Sequence, residues 1–111
     1  MALESQVEKE IQLYIHSTGG NFHKLNAQYQ PGIPDRIATW PPGHCIYFEI
    51  KQPGGRISAI QKQRIKKLKE NGYSVHVVYS VDDVKSIVEP LEFTKLPKKL
   101  AIKRTGYQLN Y

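Results

Sequence analysis

The sequence predicts an α/β fold in which helices flank a mixed β-sheet. Three features predict it: an N-terminal segment with apolar residues at helical spacing, two β-rich runs joined by a Pro-Pro-Gly turn, and a strand–helix–strand unit after them. A tight turn joins antiparallel strands, whereas parallel pairing needs a crossover connection such as a helix. The predicted order is therefore helix, strand, strand, strand, helix, strand, helix, with both kinds of pairing in one sheet.

The first half of the chain carries one helix and three strands. The helix ends at Gly19-Gly20, and a short strand is predicted within residues 21–30. Strands at 35–40 and 44–51 form a hairpin, because β-branched and aromatic residues flank a turn that begins with proline. The apolar face of the helix consists of Leu3, Val7, Ile11, Tyr14 and Ile15.

The second half carries a helix, a strand and a final helix. Ser58 opens the second helix, which runs to about Gly72, and residues 73–79 form a strand covered on both faces and parallel to 44–51. A third helix begins near Ser80 and ends near Val88. The predicted apolar face of the second helix consists of Ile60, Ile65 and Leu68.

The composition indicates one domain with an anionic partner. The chain has 111 residues, and its 16 Lys and Arg against 10 Asp and Glu give a net charge of +6, which favours nucleic acid. Residues 1–90 are predicted to form the domain and residues 91–111 a basic extension of it. The single cysteine, Cys45, excludes an intrachain disulfide. The N-terminus does not resemble a secretory signal and no segment reaches membrane-spanning length, so we expect a cytoplasmic protein without membrane contact.

Three charged residues fall in the predicted hairpin. Asp35 begins one strand and Glu49 lies late in the other, so their carboxylates can meet at one end of the sheet. Lys51 shares the face of Glu49 because side chains alternate along a strand. Two adjacent carboxylates repel each other unless a cation lies between them, and hard oxygen ligands suit Mg²⁺ or Mn²⁺. The pattern predicts a divalent-metal site.

Each of these residues also has a simpler interpretation. Asp35 after a proline is typical of a turn, and Glu49 with Lys51 is compatible with the solvated face of an edge strand. Gln61, three residues after Ser58, is what a capping box requires. Only the joint occurrence of these residues favours a catalytic site.

The segments GIPD, FEIKQPGG and SAIQKQRIKKLKENGYSVHVVYSVDDV resemble the virus-type replication-repair nuclease (VRR-NUC) domain of the PD-(D/E)xK superfamily. Pro34-Asp35 matches its "PD" element, Glu49-Ile50-Lys51 its "ExK" element, and Gln61 a glutamine that follows in this family. The resemblance extends to about Val88. It implies a restriction-endonuclease-like sheet and hydrolysis of phosphodiester bonds with Mg²⁺ or Mn²⁺ as cofactor.

The resemblance also implies roles for individual residues. Asp35, Glu49 and the Ile50 carbonyl would hold the metal, Lys51 would act on the attacking water or the phosphorane, and Gln61 would aim its amide at either. The family places a further acid on the first helix. Helical spacing leaves Glu4, Glu8 and Glu10 open, and the spacing in related junction resolvases favours Glu8, as both metal ligand and catalytic residue.

The predicted function is a structure-selective DNA endonuclease. Small VRR-NUC domains resemble Holliday junction resolvases, which implies a homodimer acting on branched DNA in a bacterial or phage-infected cell. The alternatives are a DNA-binding accessory module that does not cleave and a structural protein with a basic tail. The residues assigned to DNA binding are Lys24, Arg36, Lys62 and Arg64.

Overall fold

The computed structural model describes residues 4–25 and 30–93, and the predicted order of elements is confirmed within them. The helices are α1 (Glu4–Ser17), α2 (Ala59–Glu70) and α3 (Val81–Val88), and a short 3-10 helix (Glu89–Leu91) follows α3. The strands are β1 (Asn21–Lys24), β2 (Arg36–Trp40), β3 (His44–Ile50) and β4 (Val75–Val78). None of the helices described here is long and apolar enough to cross a membrane. Most of the predicted basic extension, residues 94–111, lies outside the described residues.

The four strands form one mixed sheet in the order β1-β2-β3-β4. β2 pairs antiparallel with β1 and β3, whereas β3 and β4 are parallel, as the crossover through α2 predicts. Arg36 at the start of β2 lies opposite Phe48 near the end of β3. Asp35, just before β2, and Lys51, just after β3, therefore lie at the same end of these two central strands.

The main hydrophobic core lies between one face of the sheet and the helices α1 and α3. Apolar side chains from these elements form one buried cluster, to which α1 contributes its predicted stripe except Leu3, which lies outside the described residues. α1 ends where the sequence predicts, and Gly19 beyond it takes a φ of 87°. The main members of the cluster are Val7, Ile11, Ile15, Ala38, Trp40, Ile46, Phe48, Ile50, Val78, Val84 and Val88.

The second helix packs differently from the prediction. Ile65 is buried and Leu68 half-buried, but Ile60 is 44% exposed, so its assignment to the apolar face is wrong. Five residues separate Ile60 from Ile65, which places them about 140° apart on a helix that turns 100° per residue. Gln61, about 40° from Ile65, takes the inward position instead.

The fourth strand is covered on both faces, as predicted. Val75 and Val78 lie three residues apart, hence on opposite faces of the sheet, and both are buried. The strand is shorter than the predicted run, since it begins at Val75 and ends at Val78. Tyr73 and Tyr79 flank it and are exposed.

Candidate active site

The β2–β3 hairpin brings Asp35 and Glu49 into direct contact. The backbone N–H of Asp35 donates to Glu49 Oε1 at 3.3 Å, and the N–H of Ile50 donates to Asp35 Oδ1 at 3.4 Å. Each carboxylate thus accepts a hydrogen bond from a backbone N–H that belongs to the other acidic residue or to the residue after it. This reciprocal arrangement follows from the antiparallel register, in which the start of β2 faces the end of β3.

Glu49 is the most buried of the acidic site residues, with 3% of its surface exposed. Burial raises the pKa of this carboxyl above its ordinary value, and the negative charge of Asp35 raises it further, while Lys51 and two hydrogen bonds act in the opposite direction. Lys51 Nζ lies 3.6 Å from Glu49 Oε2. The lysine therefore shares the face of Glu49, as side-chain alternation along the chain predicts.

Gln61 has two roles at once. Its side-chain Oε1 accepts the Ser58 N–H at 3.0 Å, while its own N–H donates to Ser58 Oγ, which completes a capping box at the start of α2. Its Nε2 donates to Glu49 Oε2 at 3.1 Å. The capping and site interpretations of Gln61 are therefore compatible, because the amide has a free donor once its oxygen is used.

Glu8 reaches the site through Arg36. Arg36 Nε donates to Glu8 Oε1 at 3.0 Å, and Arg36 Nη1 donates to the Asp35 carbonyl at 2.9 Å. Arg36 Nη1 also lies 3.6 Å from Asp35 Oδ2. Of the other helix acids, Glu10 is exposed and the side chain of Glu4 lies outside the described part of the chain.

The position of Arg36 corrects its assignment to DNA binding. Only 5% of its surface is exposed, because its side chain points from β2 into the space between the sheet and α1. An exposed cation is needed to neutralise a backbone phosphate, and this guanidinium is instead occupied by Glu8 and Asp35. Its charge acts inside the protein.

The other assigned cations lie on different parts of the surface. Lys24 is exposed at the end of β1 and Lys62 on α2. Arg64 is half-buried, and its Nε donates to the Pro31 carbonyl at 3.2 Å. The next residue, Gly32, has a φ of 86°, and a Cβ there would lie 2.8 Å from the Ile60 carbonyl. Arg64 therefore fixes the loop that leads to Asp35.

The two carboxylates fit a divalent cation. In the described segments no three His, Cys, Asp or Glu side chains converge as a metal centre. Mg²⁺ needs only one or two protein carboxylates, with water and substrate phosphate completing its coordination. Asp35 and Glu49 supply such a pair, and the desolvation of Glu49 makes its charged form one that a cation would stabilise.

Comparisons with known proteins identify the family. A sequence model of the VRR-NUC domain matches residues 4–82. A protein named "Putative nuclease p44", from Acyrthosiphon pisum secondary endosymbiont phage 1, is 30% identical over 79 residues, which are 71% of this chain and 85% of that protein. The chain belongs to the VRR-NUC domain family. VRR-NUC domains are nuclease domains, so this membership supports the predicted nuclease class.

Solved structures agree with the VRR-NUC assignment. One described as a VRR_NUC domain has a TM-score of 0.71 at 25% identity, covering 78% of this chain and 94% of that chain. A second, a VRR_NUC domain protein, has a TM-score of 0.63 at 22% identity, covering 79% of this chain and 86% of its own. The family resemblance and the α/β fold class predicted from the sequence are both confirmed.

The contacts of Arg36 with Glu8 and the Asp35 carbonyl inside this VRR-NUC chain were not predicted from the sequence. A signal was present, because Arg36, Ala38 and Trp40 alternate along β2 and therefore share a face. Ala38 and Trp40 belong to the core, so their alternation places Arg36 on the buried side. The contact of Arg64 with the Pro31 carbonyl had no comparable local signal, since 33 residues separate the two.

Proposed function

We propose that this VRR-NUC protein is an endonuclease that hydrolyses phosphodiester bonds of branched DNA with Mg²⁺ or Mn²⁺. The observation that carries the proposal is the set of contacts around the buried carboxylate of Glu49. Asp35, Lys51 and Gln61 each approach it, from three separate segments of the chain. A buried carboxylate in contact with a second acid is costly in a structural role alone, so a function that uses the charge is favoured.

The metal would be held by Asp35, Glu49 and the Ile50 carbonyl. A divalent cation there supplies Lewis-acid chemistry, acidifying water and offsetting the charge of the phosphoryl group. Glu8 joins this set as the fourth ligand proposed from the family. Its Oε1 is engaged by Arg36, so we assign the contribution of Glu8 to Oε2, with Arg36 holding both Glu8 and the backbone of Asp35 in place.

Lys51 and Gln61 act on the reacting groups. The ammonium of Lys51 stabilises negative charge on the phosphorane and orients the attacking water. Gln61 keeps its amide beside Glu49 because the capping box fixes its oxygen. It therefore presents an N–H donor towards the water or a phosphate oxygen.

Branched DNA and a homodimer complete the proposal. Two copies related by a two-fold axis can cut two related strands of a four-way junction. Lys24, Lys62 and the outer nitrogens of Arg64 are the cations proposed to contact phosphates, supported by the net charge of +6. The proposed setting is the cytoplasm of a bacterial or phage-infected cell.

Cleavage of end-labelled DNA tests the function. Four-way junction, splayed-arm, nicked and linear duplexes are incubated with Mg²⁺, Mn²⁺ or EDTA, and the variants Asp35→Asn and Lys51→Ala are compared with the wild type. We expect metal-dependent cuts that both variants lose, with paired symmetric cuts in the junction. Glu70→Gln and Lys69→Ala, exposed residues near the far end of α2, serve as charge-matched controls.

The same assay separates the alternative function. If the wild type binds these DNAs but cuts none of them with either metal, the protein is a DNA-binding accessory module and the endonuclease proposal fails. Light scattering coupled to gel filtration measures the mass of the free protein and of its junction complex. A strictly monomeric protein in both would contradict the dimer.

A further inference from the structure

A pocket opens beside the candidate active site, between α2, β3 and the loop before Asp35. Its volume is about 430 Å³, within the range of pockets that hold small ligands. It lies on the sheet face that α2 covers, opposite the main core. Its lining residues are Gln30, Ile33, Tyr47, Arg64, Lys67, Leu68, Asn71 and Tyr73.

Two tyrosines give the pocket an aromatic wall. The rings of Tyr47 and Tyr73 meet edge to face with their centroids 6.0 Å apart. Tyr73 is 48% exposed, so about half of its surface is open to solvent. Nucleobases stack on such surfaces irrespective of their sequence, since every base has a π-face.

The polar lining suits the rest of a nucleotide. Arg64 and Lys67 place two cations at the pocket, and phosphate is the anion that such cations recognise in DNA. The side-chain amides of Gln30 and Asn71 offer both donors and acceptors of the kind that read base edges. The bond from Arg64 Nε to the Pro31 carbonyl holds one wall of the pocket in place.

The pocket and the candidate active site share their supporting elements. Tyr47 precedes Glu49 by two residues on the same face of β3, so the two positions are about 7 Å apart along the strand. Arg64 follows Gln61 by three residues, one turn along α2. A DNA strand whose phosphate lies at Asp35 and Glu49 thus has its neighbouring nucleotide within reach of the pocket.

We propose that this pocket receives one unpaired nucleotide of the DNA strand, next to the phosphate that is cleaved. The proposal rests on the endonuclease function and names its selective feature. A base in an intact duplex is stacked and paired, so filling a pocket of this kind requires a nucleotide that is unpaired or easily extruded. Branch points supply such nucleotides, and a continuous duplex does not.

Fluorescence of 2-aminopurine tests the proposal independently of cleavage. The base is placed singly at each position flanking the branch of a splayed-arm or four-way junction, and binding is followed without divalent metal. We expect stacking to change the fluorescence at one position near the branch. Tyr73→Ala removes that change and Tyr73→Phe keeps it, because the ring and not the hydroxyl is needed. Lys69→Ala, at an exposed position of α2 outside the pocket lining, leaves it intact.

Cleavage rates give the second readout. For substrates with an unpaired nucleotide, kcat/KM is expected to fall about 5-fold to 150-fold in Tyr73→Ala, the range for losing one base–aromatic stack. Lys67→Ala is expected to reduce the slope of log DNA affinity against log salt concentration by about one, whereas Lys69→Ala leaves this slope unchanged.

Failure of the pocket and failure of the endonuclease are distinguishable. Suppose that the wild type cuts branched DNA while the fluorescence changes at no position, or while the change survives in Tyr73→Ala. Either result overturns the pocket proposal alone. A fluorescence change that depends on the Tyr73 ring, in a wild type that never cuts with Mg²⁺ or Mn²⁺, overturns cleavage and leaves the pocket as a binding site for unpaired nucleotides.

Discussion

Arg36 shows how one side chain links two parts of the candidate site. Its guanidinium joins Glu8 of α1 to the backbone of Asp35, and the arginine itself is nearly hidden from water. Arg36 Nε and Nη2 both meet Glu8 Oε1 while Nη1 donates to the Asp35 carbonyl, and the single ammonium of lysine does not reproduce this planar spread of donors. Under the proposed function, Arg36 would therefore be a positioning residue that orients the proposed metal ligands and does not contact the DNA.

Arg36→Lys keeps the charge but loses this geometry, so we expect it to weaken metal binding. Replacing partners that orient metal ligands typically costs about 10-fold to 100-fold in affinity. Calorimetric titration of the metal-free protein with Mn²⁺ measures the change, beside the melting temperature. Because Glu8 and Arg36 act as a unit, their effects should not add. The double variant Glu8→Gln, Arg36→Lys should bind Mn²⁺ almost as well as the single variant with the lower Mn²⁺ affinity.

DNA binding supplies the control for this prediction. Measured without metal, the affinity of Arg36→Lys for junction DNA should equal that of the wild type. A loss of DNA affinity together with unchanged Mn²⁺ affinity would return Arg36 to its original assignment as a phosphate contact.

Glu49 makes the stability of the metal-free protein depend on pH. Burial and the Asp35 charge raise its pKa in the folded state above the unfolded value. The folded protein therefore binds a proton more readily, and stability falls as the pH rises from the unfolded pKa through the folded one. The loss of folding stability caused by the ionised Glu49 carboxylate is complete above the folded pKa and absent below the unfolded pKa.

Urea unfolding of the wild type and Glu49→Gln between about pH 4 and pH 8 isolates this effect. Glutamine does not titrate, so the stability of the wild type relative to the variant should rise as the pH falls through the folded pKa. The opposite trend would mean that Lys51 and the hydrogen bonds outweigh desolvation in the folded protein.

At the scale of elements, α2 joins stability to the site through its first turn. Ser58 caps the helix, and the glutamine that completes the capping box also contacts Glu49. The opening of the helix and the orientation of a site residue thus depend on the same hydrogen bonds. α3 also begins with a serine cap, in which Ser80 Oγ accepts the Asp83 N–H.

Ser58→Ala is expected to lower the free energy of unfolding by about 1 kcal/mol, the usual cost of losing such a cap. It should also reduce kcat, because Gln61 loses the bond that fixes its backbone in the capping box. Ser58→Thr preserves both quantities. Denaturant unfolding and cleavage kinetics provide the measurements.

Ser80→Ala is the matched comparison. It should cost similar stability with a smaller effect on kcat, since its cap does not include a residue bonded to Glu49. Equal losses of kcat in the two alanine variants would show that general destabilisation, and not the orientation of Gln61, lowers the activity.

At the scale of the whole molecule, the charge predicts how DNA binding depends on salt. Six excess positive charges favour binding that weakens as salt rises, because each phosphate contact releases counterions. The metal requirement proposed for cleavage would have a different origin, in the carboxylates, and is expected to persist at every salt concentration.

Lys62→Ala is expected to reduce the slope of log affinity against log salt by about one, the share of one phosphate contact. Lys9→Ala, an exposed lysine on the opposite side of the sheet, is the control and should leave the slope unchanged. Fluorescence anisotropy with labelled junction DNA gives both slopes. Equal reductions in the two variants would indicate diffuse attraction without a defined contact at Lys62.

The order of elements, the mixed sheet and the convergence of Asp35, Glu49 and Lys51 can all be predicted from the amino-acid sequence. These follow from local rules: Gly and Pro end elements, side chains alternate along strands, and a tight turn forces antiparallel pairing. The error at Ile60 was local as well, because helical spacing, applied strictly, excludes it from the face of Ile65.

The partners of the cations, in contrast, depend on the packing of distant segments and could not be predicted from the sequence. Arg36 contacts Glu8 across 28 residues, and Arg64 contacts the Pro31 carbonyl across 33. Such contacts depend on how α1 and α2 lie on the sheet, which is set by packing of the whole core and not by any short pattern. The pocket at Tyr47 and Tyr73 has the same origin, since its walls come from a strand, a helix and a loop that only folding brings together.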